Sequence, residues 1–257
     1  MEADSSNKVY FIGAGPGDPR YLTLEGVQSL VSCHLVYALS PYPETFSSYL
    51  EGKKIKDPFE SVFSEICLEV ETALEKGSVG FLVPGDLTVF SPFLPLVEQF
   101  GERSQVVAGV GILNAAAALL KRTLDMPDVS HSVVLTSPKH IDKHGDGVTL
   151  ADLSSSAGTM VLYMINKPLA DLMEDLKPGF GPETPVSIVY RIGLDGERVY
   201  RGTLSTIAQV VGEDDIFGQQ SGKPSMAIAL IGEILEAHAD PSFWNRRKEK
   251  FWDKLSR

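Results

Sequence analysis

The sequence is poor in cysteine, in long apolar runs and in positive charge, and each shortage excludes a class of protein. Its two cysteines, Cys33 and Cys67, provide neither a disulfide framework nor a metal-ligand spacing. Both lie in apolar surroundings, which favours small buried thiols in a reducing compartment. No apolar run approaches the roughly 18–20 residues that a membrane-spanning helix needs. We therefore expect neither a disulfide-bonded miniature domain nor a transmembrane segment.

Basic residues are outnumbered by acidic ones, 23 to 34, which gives a formal net charge of −11. Affinity for nucleic acid comes from clustered Lys and Arg, so this balance argues against a nucleic-acid partner. The stretch MEADSSNK at the start is polar and acidic where a secretory signal would have an apolar core. Together with the cysteine usage, it predicts a cytoplasmic location.

The 257 residues leave room for one large domain or two of ordinary size. Apolar strand-like runs alternate with stretches of helical periodicity, a pattern typical of a largely parallel sheet flanked by helices. The predicted strands are 8–13, 34–39, 80–83, 104–107, 132–136, 159–164, 186–191 and 197–202, with a further apolar run at 226–234. The predicted helices are 22–32, 61–76, 114–121, 168–177 and 204–211. The sequence thus predicts an α/β fold.

The composition changes at 137–157, where SPKHIDKHGDG precedes a short helix and SSSAG. We interpret this stretch as a loop and linker. It separates an N-terminal α/β domain with Gly/Pro-rich loops, 8–137, from a C-terminal α/β domain, 158–235. His140 and His144 are four residues apart, but the glycines after them disfavour a helix there, so we predict no metal site.

Residues 238–257 form a basic tail. From 243 onward six Lys and Arg accompany two acids, a balance of +4, so the rest of the chain carries −15. Trp244, Phe251, Trp252 and Leu255 recur at helical spacing among the basic residues. The charge contrast favours docking on the acidic body of the chain or on a dimer partner. Contact with a membrane surface and disorder are the alternatives.

The segment GAGPGDP (13–19) directly follows the first predicted strand. Its glycines let the backbone approach a ligand closely, and its prolines stiffen the turn. It is not a dinucleotide-binding fingerprint, because the third glycine is absent and the prolines would interrupt the helix that holds the pyrophosphate. The alternative is a plain structural turn.

Two further segments follow strand ends. VPGDLTVF (83–90) places Asp86 at the C-terminal edge of a strand, where open α/β sheets bind ligands, and its carboxylate can accept hydrogen bonds from a ribose or an amino group. AGVGI (108–112) precedes an alanine-rich helix, and its glycines permit close packing against a helix or a ligand. Each segment alone is also compatible with a structural role.

In this order and spacing, the three segments resemble those of the tetrapyrrole methylase family. Members of that family have G-A/V-G-P-G-D-P near the N-terminus, then G-D-P, then P-G-V/I-S/T before an alanine-rich helix. The resemblance extends over about residues 8–235, and the stretches 9–30, 124–137 and 185–208 add to it. The last stretch is most similar to the members that methylate C11 of precorrin-4 in cobalamin biosynthesis.

The resemblance implies two α/β domains with the cofactor in the cleft between them, usually in a homodimer. It implies S-adenosylmethionine as methyl donor, S-adenosylhomocysteine as product, and a tetrapyrrole as the small-molecule substrate. The cofactor positions that it implies in this chain are Pro16, Gly85, Asp86, Val89, Gly111, Ile112, Met164, Arg191, Ile192 and Ala227. Arg191 and Arg201 are expected to meet substrate carboxylates.

Several departures from the family pattern fall within the implied site. Leu87 replaces the proline of G-D-P, Ala108 replaces the proline before the glycine, Gly111-Ile112 lacks the hydroxyl residues, and Ser137 replaces an arginine. They leave two alternatives open. One is a diverged member that methylates precorrin-2 or uroporphyrinogen III, and the other is a non-catalytic paralogue that binds a tetrapyrrole or the cofactor.

Methyl transfer requires a nucleophile in line with the methyl carbon, about 3–3.5 Å away. A tetrapyrrole carbon made nucleophilic by its own conjugated nitrogens needs no activated side chain. Catalysis is therefore expected to depend on positioning. The sequence assigns no catalytic residue, and Asp86 is interpreted as a cofactor ligand.

Overall fold

The computed structural model describes residues 7–144, 147–222, 225–247 and 250, apart from the side chains of 142–144 and 243. Contacts divide the chain into two compact units. The first contains the residues up to Leu119 together with 189–199 and 226–228, and the second contains 120–188, 200–225 and the residues from 229 onward. The segments 189–199 and 226–228 thus group with the N-terminal part of the chain. The domain limits 8–137 and 158–235 remain sequence-based predictions.

A parallel five-stranded sheet runs through the first unit, in the order β3-β2-β4-β1-β5. Its strands are β1 Val9–Gly13, β2 Cys33–Ala38, β3 Lys54–Lys56, β4 Ser78–Val83 and β5 Ser104–Val107. Buried residues alternate between its two faces, as the two-residue period of a strand requires. Phe11 and Phe81 belong to one core cluster, and Ile12 and Leu82 to a second.

Six helices belong to the N-terminal half of the chain. They are α1 Leu24–Ser32, α2 Tyr42–Thr45, α3 Ser47–Leu50, α4 Phe63–Leu74, α5 Leu94–Phe100 and α6 Ile112–Leu120. Helix α4 buries Ile66, Val70 and Leu74, the four-residue spacing from which the sequence predicted a helix. Helix α1 begins at Thr23, whose hydroxyl accepts a hydrogen bond from the amide of Gly26 at 3.0 Å.

A second five-stranded sheet has the order β6-β7-β10-β8-β9. Its strands are β6 Val133–Thr136, β7 Thr159–Leu162, β8 Pro185–Tyr190, β9 Arg198–Thr203 and β10 Ala227–Ile231. It is mixed, because β7 pairs in parallel with β6 but antiparallel with β10. The remaining helices are α7 Pro138–His144, α8 Leu150–Ser156, α9 Leu169–Phe180, α10 Ile207–Val211 and α11 Ser242–Arg247.

Two sequence-based expectations about helices were wrong. The stretch interpreted as a loop contains α7, because Pro138 occupies the first helical turn, where its missing amide costs nothing, and the glycines follow the helix. Helix α9 continues through Pro178 and ends at Gly181, which has φ +77°. Among the residues that the structure describes, no helix combines the length and the apolar character needed to cross a membrane.

Candidate functional site

The three segments identified in the sequence lie side by side in the fold. We call residues 13–19, 83–90 and 108–112 the first, second and third loops. They follow β1, β4 and β5, which are neighbours in the first sheet. Because these strands are parallel, their carboxyl ends meet at one edge, the edge where open α/β sheets bind ligands.

The backbones of the three loops touch through glycines. The amide of Gly15 donates to the carbonyl of Gly85 at 3.0 Å, and the amide of Gly85 donates back to the carbonyl of Gly15 at 2.9 Å. A Cβ atom on Gly109 would lie 2.5 Å from the Gly85 oxygen and 2.6 Å from the Cα of Gly13. Any side chain at Gly109 would therefore push the loops apart.

Asp86 lies between the second and third loops. One of its carboxylate oxygens, Oδ1, accepts a hydrogen bond from the amide of Thr88 at 3.0 Å. A Cβ atom on Gly111 would lie 2.9 Å from the other oxygen, Oδ2. The carboxylate therefore lies beside the start of α6, whose partial positive charge favours an anion.

Three other departures from the family pattern have different surroundings. Leu87 packs against the first core cluster. The carbonyl of Ala108 accepts a hydrogen bond from the Thr23 hydroxyl at 3.1 Å. Ser137 is buried at the start of α7, and its hydroxyl has no hydrogen-bond partner among the described atoms. The substitutions thus leave the three loops in contact.

The turn between β8 and β9 brings three more of the predicted residues together. The amide of Arg191 donates to the carbonyl of Met226 at 2.9 Å, next to the buried Ala227. The Nε atom of Arg191 donates to the carbonyl of Asp195 at 2.7 Å, which closes the turn. Ile192 is buried, and its carbonyl oxygen lies 3.1 Å from the position of a Cβ atom on Gly17. Within the first unit, Ile192 therefore lies against the first loop.

Two predicted residues belong to the second unit. Met164 follows β7 and is partly buried, and Arg201 is an exposed residue of β9. Non-glycine residues with positive φ are uncommon and concentrate at functional sites. Among the described residues they are Lys121, Asp128, Met164 and Arg191. Two of these four, Met164 and Arg191, were predicted as cofactor residues.

Tyr42 is the residue at the loops that the sequence interpretation missed. It follows β2, is 5% exposed, and its hydroxyl donates to the Gly15 carbonyl at 2.9 Å. The sequence SPYPETF around it matches none of the motifs considered. Its one available signal was an aromatic residue between two prolines, just after a strand that ends at the same sheet edge.

Asp18, at the end of the first loop, has a local structural role. Its carboxylate accepts a hydrogen bond from the amide of Arg20 at 2.8 Å, at the start of a short 3-10 helix, and forms an ion pair with the guanidinium. The hydrogen bond with the Arg20 side chain lowers the pKa of Asp18. Asp18 is therefore engaged within its own turn. In the part of the chain that the structure describes, no group of three His, Cys, Asp or Glu residues could hold a metal.

Comparison with known proteins agrees with this arrangement. Residues 8–208 match the family of Tetrapyrrole (Corrin/Porphyrin) Methylases. A cobalt-precorrin-4 C(11)-methyltransferase of Methanocaldococcus jannaschii is 31% identical over 244 residues, which cover 90% of each chain. A uroporphyrinogen-III C-methyltransferase of Methanobacterium ivanovii is 32% identical over 214 residues, 78% of this chain and 90% of that protein. The solved structure of a cobalt precorrin-4 methyltransferase superposes with a TM-score of 0.77 at 23% identity, over 90% of this chain and 96% of that one.

The chain belongs to the tetrapyrrole methylase family. The predictions of the family and of a fold with two α/β domains are confirmed. Methyltransferase activity and the use of S-adenosylmethionine as methyl donor were also predicted. Membership of the family confirms both predictions.

Proposed function

We propose that this methyltransferase methylates C11 of precorrin-4, or of its cobalt complex, in cobalamin biosynthesis. The observation that carries the proposal is the likeness to the Methanocaldococcus jannaschii protein over nine-tenths of both chains. The convergence of the three loops around Asp86 supports it, because a methyl donor needs a concave, partly polar site at this sheet edge.

The residues at the loops fit S-adenosylmethionine. Asp86 would accept hydrogen bonds from hydroxyl or amino groups of the donor, while Val89 and Ile112 would provide apolar contacts. Val89 is 49% exposed, so it has surface available to a ligand. The amide of Gly85 already donates to the Gly15 carbonyl. Gly85 would therefore serve by letting the donor come close to the backbone, since it has no side chain in the way. Pro16, Gly111, Met164, Arg191, Ile192 and Ala227 complete the proposed set.

The bound donor supplies an electrophilic methyl group. The chain's own residues would hold the donor and the acceptor carbon in line and exclude water from the contact. We assign no general base to this chain. Rate enhancement would then come from positioning, which makes the rigidity of the loops part of the mechanism.

Arg191 and Arg201 are the proposed contacts for substrate carboxylates. A guanidinium is suited to this role because it forms paired, charge-assisted hydrogen bonds with a carboxylate. The Nε atom of Arg191 is bound to Asp195, which would orient the guanidinium. Arg201 is exposed on β9.

The test is incubation of the purified protein with S-adenosylmethionine and a panel of tetrapyrrole precursors, followed by mass spectrometry. We expect precorrin-4 or cobalt-precorrin-4 to gain the mass of one methyl group, with fragments that place it at C11. Methylation of other precursors alone would refute the assignment. Binding of the donor without any turnover would indicate the non-catalytic paralogue.

Uroporphyrinogen III is the second candidate substrate, favoured by the likeness to the Methanobacterium ivanovii protein. That relative aligns with less of this chain than the Methanocaldococcus jannaschii protein does, 78% against 90%. The same panel separates the two, because the products differ in the precursor that gains mass.

We further propose that the protein acts as a cytoplasmic homodimer. Unpaired Cys33 and Cys67 agree with a reducing compartment. Exposed apolar side chains such as Leu24 and Trp244 agree with a surface that a second copy covers. Light scattering on the purified protein should give twice the chain mass, and a monomer mass would refute the dimer.

A further inference from the structure

A buried tyrosine outside the family motifs is bound to the loops of the proposed donor site. We infer that Tyr42 is a positioning residue for the methyl donor: its hydroxyl fixes the Gly15 carbonyl and so sets the spacing between the first and second loops. This inference rests on the proposed use of those loops by S-adenosylmethionine.

The ring of Tyr42 is fixed by packing. It belongs to the second core cluster and lies edge-on to Phe46, with ring centroids 5.4 Å apart and an interplanar angle of 66°. Because the side chain is 5% exposed, the ring cannot turn to another rotamer without losing core contacts. The hydroxyl is therefore held at one position at the sheet edge.

The hydroxyl lies beside the pair of backbone hydrogen bonds that joins Gly15 to Gly85, which we call the bridge between the first and second loops. The Gly15 carbonyl accepts one hydrogen bond from the Tyr42 hydroxyl and another from the amide of Gly85, each 2.9 Å long. Pro16 follows Gly15 in the first loop, and Asp86 follows Gly85 in the second. The tyrosine thus stabilises the point from which two proposed cofactor residues project.

The protonation state of Tyr42 suits this role. Burial raises the pKa of its hydroxyl well above the usual range. The hydroxyl therefore remains a proton donor at every physiological pH.

Removal of the hydroxyl would leave the Gly15 carbonyl with one of its two donors. The loops would still be joined by Gly85, so the fold would persist, but the bridge would open more often. Because ligand binding depends on small displacements of Pro16 and Asp86, the loss should appear in donor affinity before it appears in folding.

The test compares Tyr42→Phe with Tyr37→Phe in the full chain. Tyr37 is a suitable control, since it is a buried tyrosine of β2 whose hydroxyl donates to Glu69 Oε2 of α4 at 2.8 Å and not to a loop carbonyl. Both variants keep the ring and lose one hydrogen bond. We expect Tyr42→Phe to weaken S-adenosylhomocysteine binding about tenfold by calorimetry, and Tyr37→Phe to change it less than about twofold.

Two further readouts separate positioning from general destabilisation. In Tyr42→Phe, KM for the methyl donor should rise while KM for the tetrapyrrole stays constant. Amide hydrogen exchange at Gly15 and Gly85 should accelerate in Tyr42→Phe and not in Tyr37→Phe.

The possible outcomes are distinct. Equal affinity and equal exchange in Tyr42→Phe and the wild type would overturn the role of Tyr42 alone. A wild type that does not bind S-adenosylhomocysteine would overturn both the donor site and this inference. Equal loss of affinity in both variants would show a purely structural effect.

Discussion

The Asp86 carboxylate faces two loops. It accepts the amide of Thr88 within the second loop and lies against Gly111 of the third. We predict that Asp86→Ala weakens S-adenosylmethionine binding by about 1–3 kcal/mol, because donors of the bound ligand lose their acceptor. Asp86→Asn keeps an acceptor for Thr88 and serves as the control for the turn. Calorimetry with unchanged affinity in Asp86→Ala would remove Asp86 from the site.

Gly111 is predicted to control the orientation of that carboxylate. In Gly111→Ala the new Cβ would lie 2.9 Å from Asp86 Oδ2, so the carboxylate must turn away. A flexible side chain can yield at little cost, so we expect a change in folding stability below about 1 kcal/mol together with weaker donor binding. In the Asp86→Ala background, Gly111→Ala should add no further loss. Additive losses in this double-mutant cycle would contradict a shared cause.

Arg191 is predicted to act on the substrate. Arg191→Ala should raise KM for the tetrapyrrole about tenfold or more, since a charge-assisted hydrogen bond to a carboxylate is lost. It also loses the bond from Nε to the Asp195 carbonyl, so a small fall in melting temperature is expected. The same kinetic measurement on Arg201→Ala, in β9, tests the second arginine proposed to contact substrate carboxylates. Unchanged steady-state kinetics with precorrin-4 would show that the residue or the substrate is misassigned.

At the scale of elements, the site depends on loops that are tied to helices. The Thr23 hydroxyl accepts the Gly26 amide at the start of α1 and donates to the Ala108 carbonyl in the third loop. We predict that Thr23→Ala lowers the free energy of unfolding by about 1–2 kcal/mol, while Thr23→Ser stays close to the wild type. Urea denaturation measures both. A wild-type midpoint for Thr23→Ala would show that neither bond contributes to stability.

Elements with a strong local pattern could be predicted from the sequence. Strand β5 was predicted at the observed residues, 104–107, and α4 was predicted from a four-residue apolar spacing that the structure buries. The turn between β8 and β9 contains Gly196, which has φ +83°, a conformation that glycine adopts without strain. In each case the signal lies within about a dozen neighbouring residues, so no tertiary information was needed.

Contacts between distant segments could not be predicted in this way. Tyr42 reaches Gly15 across 27 positions, and no periodicity encodes that contact. Helix α9 continues through Pro178, although the proline lacks the amide that would donate to the preceding turn, and no local pattern predicts this. The grouping of 189–199 with the N-terminal unit likewise depends on tertiary contacts. The sequence therefore predicted the three loops of the candidate site, but it did not predict Tyr42, which holds the first loop in place.

At the scale of the whole molecule, charge is distributed unevenly along the chain. The net charge is −11, but the residues from 243 onward carry an excess of basic side chains. Of this tail, the structure describes α11 up to Arg247, together with residue 250, and Phe251, Trp252 and Leu255 lie outside the described residues. Arg246 forms an ion pair with Asp240 at 3.7 Å, and both residues belong to the tail.

The exposure of Trp244 bears on the two docking alternatives for the tail. It is 81% exposed, so its ring is not buried by the described part of its own chain. An indole of this size is costly to leave in water, which favours coverage by a dimer partner. The opposite charges of the tail and the acidic body of the partner would add attraction at low ionic strength.

Deletion of residues 239–257 is therefore predicted to lower thermal stability or to shift the proposed dimer toward monomer. The shift should be visible as a halved mass by light scattering, and raised salt should produce part of the same effect in the intact chain. Trp244→Ala, which leaves the charges in place, should weaken the dimer through lost apolar contact alone. If the truncated protein keeps the oligomeric state and the melting temperature of the full chain, the tail packs neither on its own chain nor on a dimer partner. If vesicles of anionic lipid bind the intact chain and not the truncated one, membrane contact replaces docking as the function of the tail.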